Sequence, residues 1–269
     1  MMRAWRGIPP WRCLARALAL SVWCLGGAGA AVAAQRGRPT DQPGPAPAAA
    51  SCTRDGDVVV HGPRGGRRVA LTFDACPTRH VPGFSAEIVD RLQADGVPAT
   101  FFVSGRWAER HPRELEQLAA APLFEVALHG YRHHHLREGA VAAAEAEIED
   151  GRQALQRLGQ TPQPFFRPPY GDHPKVLADA ARRAGVTAVL WDVAPGDPDP
   201  HETAADLERD VLGRVQAGSI VVLHVNGRGV ATAAALPAVI AGIRRRGLQF
   251  VKVSELLDQC AGVHAARGE

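Results

Sequence analysis

Seven short apolar runs, separated by longer polar or amphipathic stretches, constrain this chain more than any other feature. They are 67–73 (RRVALTF), 98–103 (PATFFV), 123–128 (LFEVAL), 164–167 (PFFR), 186–191 (VTAVLW), 219–224 (SIVVLH) and 248–253 (LQFVKV). Near-continuous apolar runs of this length are what strands buried on both faces look like, and a parallel sheet is where such strands occur. Between them the segments 84–95, 106–121, 138–158, 173–184, 203–217 and 232–246 have helical length. Gly96, Gly159, Gly185, Gly218 and Gly247 follow them where a left-handed C-cap is wanted. Strand and helix in alternation give βα units. With no evident antiparallel hairpin, the reading is an α/β fold closed as an irregular parallel (β/α)7 barrel.

The polar residues fall in phase with these runs. Asp74 follows the first, His129 the third, Arg167 closes the fourth, Asp192 and Asp197 follow the fifth, and His224 closes the sixth. All lie at carboxyl ends of strands, which in a parallel barrel share one face, the face where catalytic residues collect. No G-x-G-x-x-G or Walker A sequence follows the first strand, so nucleotide binding lacks its usual signature.

The amino-terminal region reads differently. Residues 1–34 carry arginines at 3, 6, 12 and 16, an apolar stretch from Leu14 to Leu25, and small residues ending in Val32-Ala33-Ala34. This is the pattern of a secretory signal peptide cut near Ala34, because the apolar stretch falls short of the roughly 20 residues a spanning helix needs. Residues 35–50 mix Pro, Gly, Ala and polar residues without periodicity and read as a disordered linker. The folded unit is then 51–269, expected to be a periplasmic or extracellular monomer without a stable membrane anchor. A net charge of +3, with no Lys/Arg block interleaved with aromatics, argues against a nucleic-acid partner. Of the five cysteines, Cys13 and Cys24 leave with the signal peptide. Cys52 and Cys260 lie at the two edges of the folded region, where the first and last elements of a closed barrel meet. A disulfide between them is expected, with three free thiols as the alternative and Cys76 left over.

The stretches LTFDACPT (71–78), PATFFVSGRWAERHP (98–112), EVALHGYRHHHL (125–136), FFRPPYG (165–171), LWDVAPGD (190–197) and VVLH (221–224) resemble, in order and spacing, the motifs of NodB-like polysaccharide deacetylases of the carbohydrate esterase family 4 type. The resemblance spans essentially the whole folded region. It implies a distorted (β/α) barrel that removes N-acetyl groups from an amino-sugar polymer of peptidoglycan, chitin or exopolysaccharide type, using one divalent metal, usually zinc.

The residues themselves support that chemistry. His129 and His133 are four apart, so on a helical turn both imidazoles would project to one side and hold a single metal. His134 and His135 are read as surface or supporting residues. Asp74 is the candidate general base that takes a proton from water, and Arg167 would keep it ionised and aimed. The resemblance gives the Tyr170 backbone N–H to the oxyanion. His224 is the candidate general acid for the leaving amine, and Asp197 matches the family carboxylate that holds it protonated, with an ordinary turn aspartate as the alternative. Trp191 is either strand core or sugar-facing wall.

Three positions depart from the family pattern. The first motif usually has a second aspartate that binds metal, and Ala75 stands there instead. The third ligand is then Asp74 itself, which the surviving base, arginine and acid favour, or the thiolate of Cys76. A metal-poor relative that only binds glycan is the remaining reading of that change. Pro198 and Val222 replace a usual tryptophan and leucine, so substrate preference is expected to differ. A small-molecule amidohydrolase or O-acetyl esterase on the same scaffold is the other competing class, and the width of the barrel mouth discriminates it.

Overall fold

In the computed structural model the described residues are 52–55, 58–79, 83–136, 141–258 and 260. The expected signal peptide, the linker and the first residues of the segment at 138 lie outside them.

The chain enters through a hairpin, β1 (Thr53–Asp55) paired antiparallel with β2 (Val58–His61). This corrects the expectation of no hairpin. Asp55 pairs with Val58, and the two residues between them read Gly56-Asp57 in the sequence, a hairpin-type dipeptide set between runs too short to stand out. There follow β3 (Arg68–Ala75), α1 (Ala86–Ala94), β4 (Ala99–Val103), α2 (Gly105–Arg110), α3 (Pro112–Ala120), β5 (Phe124–Leu128), α4 (Val141–Arg157) and β6 (Gln163–Phe166). The remainder is α5 (Val176–Arg183), β7 (Thr187–Ala188), α6 (Ala204–Arg214), β8 (Ile220–His224), α7 (Thr232–Arg245), β9 (Gln249–Phe250) and α8 (Val253–Leu256). The single helix expected over 106–121 is two. Pro112 has no N–H to donate and opens a new helix at its first position, so the chain breaks at His111.

The strands form one parallel sheet in the order β7-β6-β5-β4-β3-β8, with β9 on the first residues of β3. Closure is irregular because β7 is only two residues long. Past it, Val193 bridges Val221 in parallel sense and its carbonyl accepts from the Val222 N–H at 3.0 Å. β2 fills the remaining gap by bridging Val59 to Val189. The distorted (β/α)7 barrel is therefore as expected, with its seam patched by the entry hairpin.

Strand side chains alternate faces, and here the alternation separates two cores. Val69, Leu71, Phe73 and Ala75 face outward into the layer of helices, along with Phe101, Val103, Val126 and Leu128. Ala70, Phe102, Ala127, Phe165, Val189 and Ile220 face inward, where Val253, Leu256 and Leu257 of the α8 region plug the lower end of the barrel. The N–H of Ser254 donates to Glu125 at 3.0 Å and that of Val253 to Thr100 at 2.9 Å, so the plug is hydrogen-bonded as well as apolar. The expected disulfide is present: Cys52 and Cys260 are bonded across 208 positions and tie the hairpin to the plug. Gly96, Gly159, Gly185 and Gly247 close helices with positive φ as expected. Gly218 does not. α6 ends earlier, at Arg214, and Gly218 instead packs on the Gly62 and Pro63 carbonyls, where a Cβ would come within 2.5 Å of the first.

Candidate active site

The inward phase delivers the polar residues to the upper mouth. On β3 the inward positions are Ala70, Thr72 and Asp74. β5 continues to His129, β6 to Arg167, and β8 ends on His224. Asp74 and His224 are register partners on adjacent strands. A cavity of about 230 Å³ opens there, lined among others by Asp74, His133, Tyr170, Asp197 and His224. Trp191, Pro198 and Val222 line it too, which makes Trp191 wall and puts two of the three departures from the family pattern in contact with whatever enters.

Asp192 does not join them. Its oxygens take the Ile220 N–H at 2.8 Å and the Ser219 hydroxyl at 2.9 Å, and Arg64 pairs with it at 2.8 Å. Ser219 and Ile220 belong to the entry end of β8 and Arg64 to the segment between β2 and β3, so Asp192 fastens the barrel seam and takes no part in the mouth.

Arg167 is fully buried and donates to Asp74 Oδ1 at 2.7 Å and to the Leu190 carbonyl at 3.2 Å. Its guanidinium lies 3.9 Å from the centre of the Phe102 ring. Burial alone would raise the Asp74 carboxyl, but Arg167, with His129 and His224, holds it below the usual range, so it is ionised at neutrality. For His224, burial opposes protonation. The hydrogen bond and charge of Asp197, with Asp74, outweigh it and raise the imidazole above its ordinary value. Asp197 accepts from His224 Nδ1 at 2.8 Å, from the His224 N–H at 2.7 Å and from the Thr232 hydroxyl at 2.9 Å. It is therefore no free turn residue. Because a carboxylate only accepts, Nδ1 carries a proton and Nε2 is left for the cavity.

The histidines meet, but not on a helix. Residues 129–136 form a loop in which Gly130 (φ 73°) and His133 (φ 63°) are both left-handed, and the His129 and His133 rings come to 4.8 Å, edge to face. The four-residue spacing that suggested a helical turn works here through two backbone reversals. Glu147 of α4 holds the loop, accepting from the Tyr131 N–H at 2.7 Å and the Arg132 N–H at 2.9 Å. Gly151, one turn on, lets the helix approach, since a Cβ there would be 2.6 Å from the Gly130 carbonyl oxygen. His134 and His135 are exposed, and His135 stacks on Tyr170 at 3.8 Å and bonds Asp172 at 2.7 Å. Tyr170 itself is left-handed (φ 59°) in a 3-10 turn, a conformation costly for a bulky residue.

One ligand atom each from Cys76, His129 and His133 lie within 4.8 Å of one another. Asp74 Oδ2 is 3.6 Å from His129 Nε2. His129 Nδ1 donates to the Arg167 carbonyl at 2.8 Å, which leaves Nε2 with a lone pair facing the cluster. Burial, then the neighbouring imidazole, lowers His133 to about 3, and burial lowers His129, so both are neutral ligands at pH 7. Burial pushes the Cys76 thiol up to about 11, and Asp74 adds to it, so an unliganded sulfur keeps its proton. Two imidazoles and a sulfur form a borderline-soft set that suits zinc better than magnesium or calcium. Residues not flagged by the sequence pattern complete the surroundings: Asn226 and Arg228 beside Cys76, Thr232 on Asp197, and Glu147 under the histidine loop. Glu147 and Thr232 lie on helices, and Asn226 and Arg228 lie just past the last quoted motif, which ends at His224.

Comparison with known proteins agrees with this geometry. The polysaccharide deacetylase family model matches residues 61–189. A peptidoglycan-N-acetylglucosamine deacetylase of Bacillus cereus is 29% identical over 207 residues, covering 75% of this chain and 93% of that protein. A chitooligosaccharide deacetylase of Sinorhizobium fredii is 32% identical over 161 residues, 60% of this chain and 73% of that one. Among solved structures, a CE4-family pseudoenzyme from Bacillus anthracis superposes with a TM-score of 0.68 at 22% identity, covering 77% of this chain and 71% of its own, a likeness of fold. The matched span carries Asp74, both histidines and Arg167, and the relatives are matched over most of their length: the chain belongs to the polysaccharide deacetylase family.

Proposed function

We propose that this protein is an exported, metal-dependent hydrolase that removes N-acetyl groups from an amino-sugar polysaccharide. The observation that carries the proposal is the pairing of Asp74 with His224 across adjacent strands at the mouth, the carboxyl shifted down and the imidazole shifted up by their surroundings. Pairs of titratable groups driven apart in this way are how a site supplies base and acid at one pH.

In the reaction, Asp74 accepts a proton from the water that attacks the acetyl carbon, while Arg167 keeps the carboxylate charged and oriented. The backbone N–H of Tyr170 faces the developing oxyanion, a role supported by the left-handed turn that brings this residue to the cavity. His224 gives its Nε2 proton to the amine nitrogen as the C–N bond breaks, and acetate and the free amine leave. Asp197 orients that imidazole through Nδ1. His129 and His133, with Cys76 or Asp74, would hold the metal. When bound there, a divalent ion supplies Lewis-acid polarisation of the acyl oxygen and of water.

The cavity is smaller than the roughly 300–1,000 Å³ of sites that enclose a drug-sized ligand. This favours a site that takes one sugar residue with its acetamido group while the rest of a polymer lies outside. Relatives named for peptidoglycan and chitooligosaccharide support that substrate class. Export is proposed on the composition of residues 1–34. Incubating zinc-loaded protein with N-acetylglucosamine oligomers and measuring acetate tests the reading. Release by the native chain and its loss in Asp74→Asn are expected. A folded, metal-loaded protein that retains glycan without releasing acetate would leave a binding module instead.

A further inference from the structure

We infer that the metal centre of this chain is thiolate-ligated, with Cys76 as its third protein donor, and that Asn226 is the positioning residue that holds the sulfur. The inference deepens the proposed function and rests on its requirement for a metal.

The strand phase gives the first argument. Ala75 is fully buried, packs with Phe73 and Val103 in the helix-facing core and offers no donor atom. Cys76 is the next residue in the inward phase after Thr72 and Asp74. It is buried, is the free cysteine among the described residues, and shares a 4.8 Å cluster with His129 and His133. A small packing residue under the turn would not need two imidazoles beside its sulfur.

The second argument comes from Asn226, which is fully buried two residues beyond His224. Its Nδ2 group donates to the Cys76 carbonyl at 2.8 Å and to Cys76 Sγ at 3.0 Å. Its Oδ1 faces the Arg228 N–H at 3.3 Å, which fixes the orientation of the amide and leaves the sulfur as an acceptor. A neutral thiol is a weak acceptor, so a buried amide N–H aimed at one is poorly matched. A metal thiolate is a strong acceptor, and a donor of this kind is the usual outer partner that orients a ligand. Arg228, which lines the same cavity, places positive charge near the sulfur. On binding, the S–H bond breaks, a sulfur–metal bond forms, and one proton leaves to solvent. Asp74, relieved of ligation, keeps both oxygens for Arg167 and for water.

The test uses the full chain loaded with one equivalent of cobalt(II) in place of zinc. A sulfur-to-cobalt charge-transfer band in the near ultraviolet is expected in the native protein and absent in Cys76→Ser. Zinc affinity, measured by competition with a chromophoric chelator, should fall in Asn226→Leu by about 10–100-fold, the cost of losing an outer partner. It should fall further in Cys76→Ser. A stoichiometrically loaded native chain without the band overturns the inference, and that measurement needs no variant to fold. Acetate release from such a band-free protein would remove the thiolate and keep the deacetylase. The band in a protein that releases no acetate would do the reverse.

Discussion

Asp74 and His224 stand side by side as register partners of β3 and β8, and the charged form of each is favoured by a buried partner of its own, Arg167 for the first and Asp197 for the second. Two opposite charges built into neighbouring strands at the mouth of a barrel also attract each other. Asp74 is among the causes that raise His224, and His224 among those that lower Asp74. The predictions below start from these contacts.

Removing the Asp197 carboxylate should move the alkaline limit of activity. The folded His224 lies above its ordinary 6.5, so kcat/KM should stay high past that pH and fall only as the raised pKa is crossed. In Asp197→Asn the fall should come at lower pH, as a profile of acetate release against pH will show. An unmoved limb would mean that His224 is not the acid. Stability follows the same sign: a raised folded pKa contributes fully below pH 6.5 and is lost as pH climbs through the folded value, and Asp197→Asn should lose that slope.

The Asp74 and Arg167 variants break one buried ion pair from its two sides. Asp74→Asn keeps shape and should leave a folded protein whose kcat drops by about 10²–10⁴, the usual contribution of a general base. Arg167→Met leaves a buried carboxylate unpaired and should cost about 3–5 kcal/mol in addition to activity. Asp74→Asn in turn leaves the buried Arg167 guanidinium without its counter-charge, so urea denaturation should show a loss of stability in both variants. A kcat that stays near the native value in folded Asp74→Asn would contradict the assignment.

Gly151→Ala should damage the metal site without touching a ligand. Its methyl would meet the Gly130 carbonyl at 2.6 Å and push the histidine loop off α4. Overpacking of this kind costs about 1–3 kcal/mol. A fall in bound zinc per chain, greater than in an exposed Gly213→Ala control where nothing lies within 4 Å, is the expected reading.

Reduction of Cys52–Cys260 should destabilise the barrel by about 2–5 kcal/mol, the range for loss of a native bridge. The bond ties the entry hairpin to the plug at the lower end, remote from Asp74, so acetate release well below the unfolding temperature should be unchanged. Melting curves with and without dithiothreitol, compared with Cys52→Ser/Cys260→Ser, provide the check.

Much of the site was legible because its logic is local. Asp74, His129, Arg167 and His224 each follow or close an apolar run, and in parallel strands the last inward residue of every run arrives at the same face. The disulfide could be anticipated for a related reason, since chain ends meet where a barrel closes. Asp192 satisfied the same rule by position and failed it in space, because the short β7 and the bridge at Val193 carry it to the seam. The helical turn expected for the two histidines was an inference from spacing alone, and spacing does not distinguish a helix from a loop with two left-handed residues.

The sequence by itself determined the order of the seven parallel strands, the family, and most of the polar residues at the mouth, because hydrophobic period and strand-end position are properties of consecutive residues. Only the tertiary structure decided which groups hold those residues in place. Asn226 reaches Cys76 across 150 positions, Glu147 reaches the histidine loop across 16, and α8 seals the lower end against strands from the other half of the chain. Such contacts leave no periodic mark, since they depend on how far the barrel closes and on where two distant segments are brought within hydrogen-bonding distance.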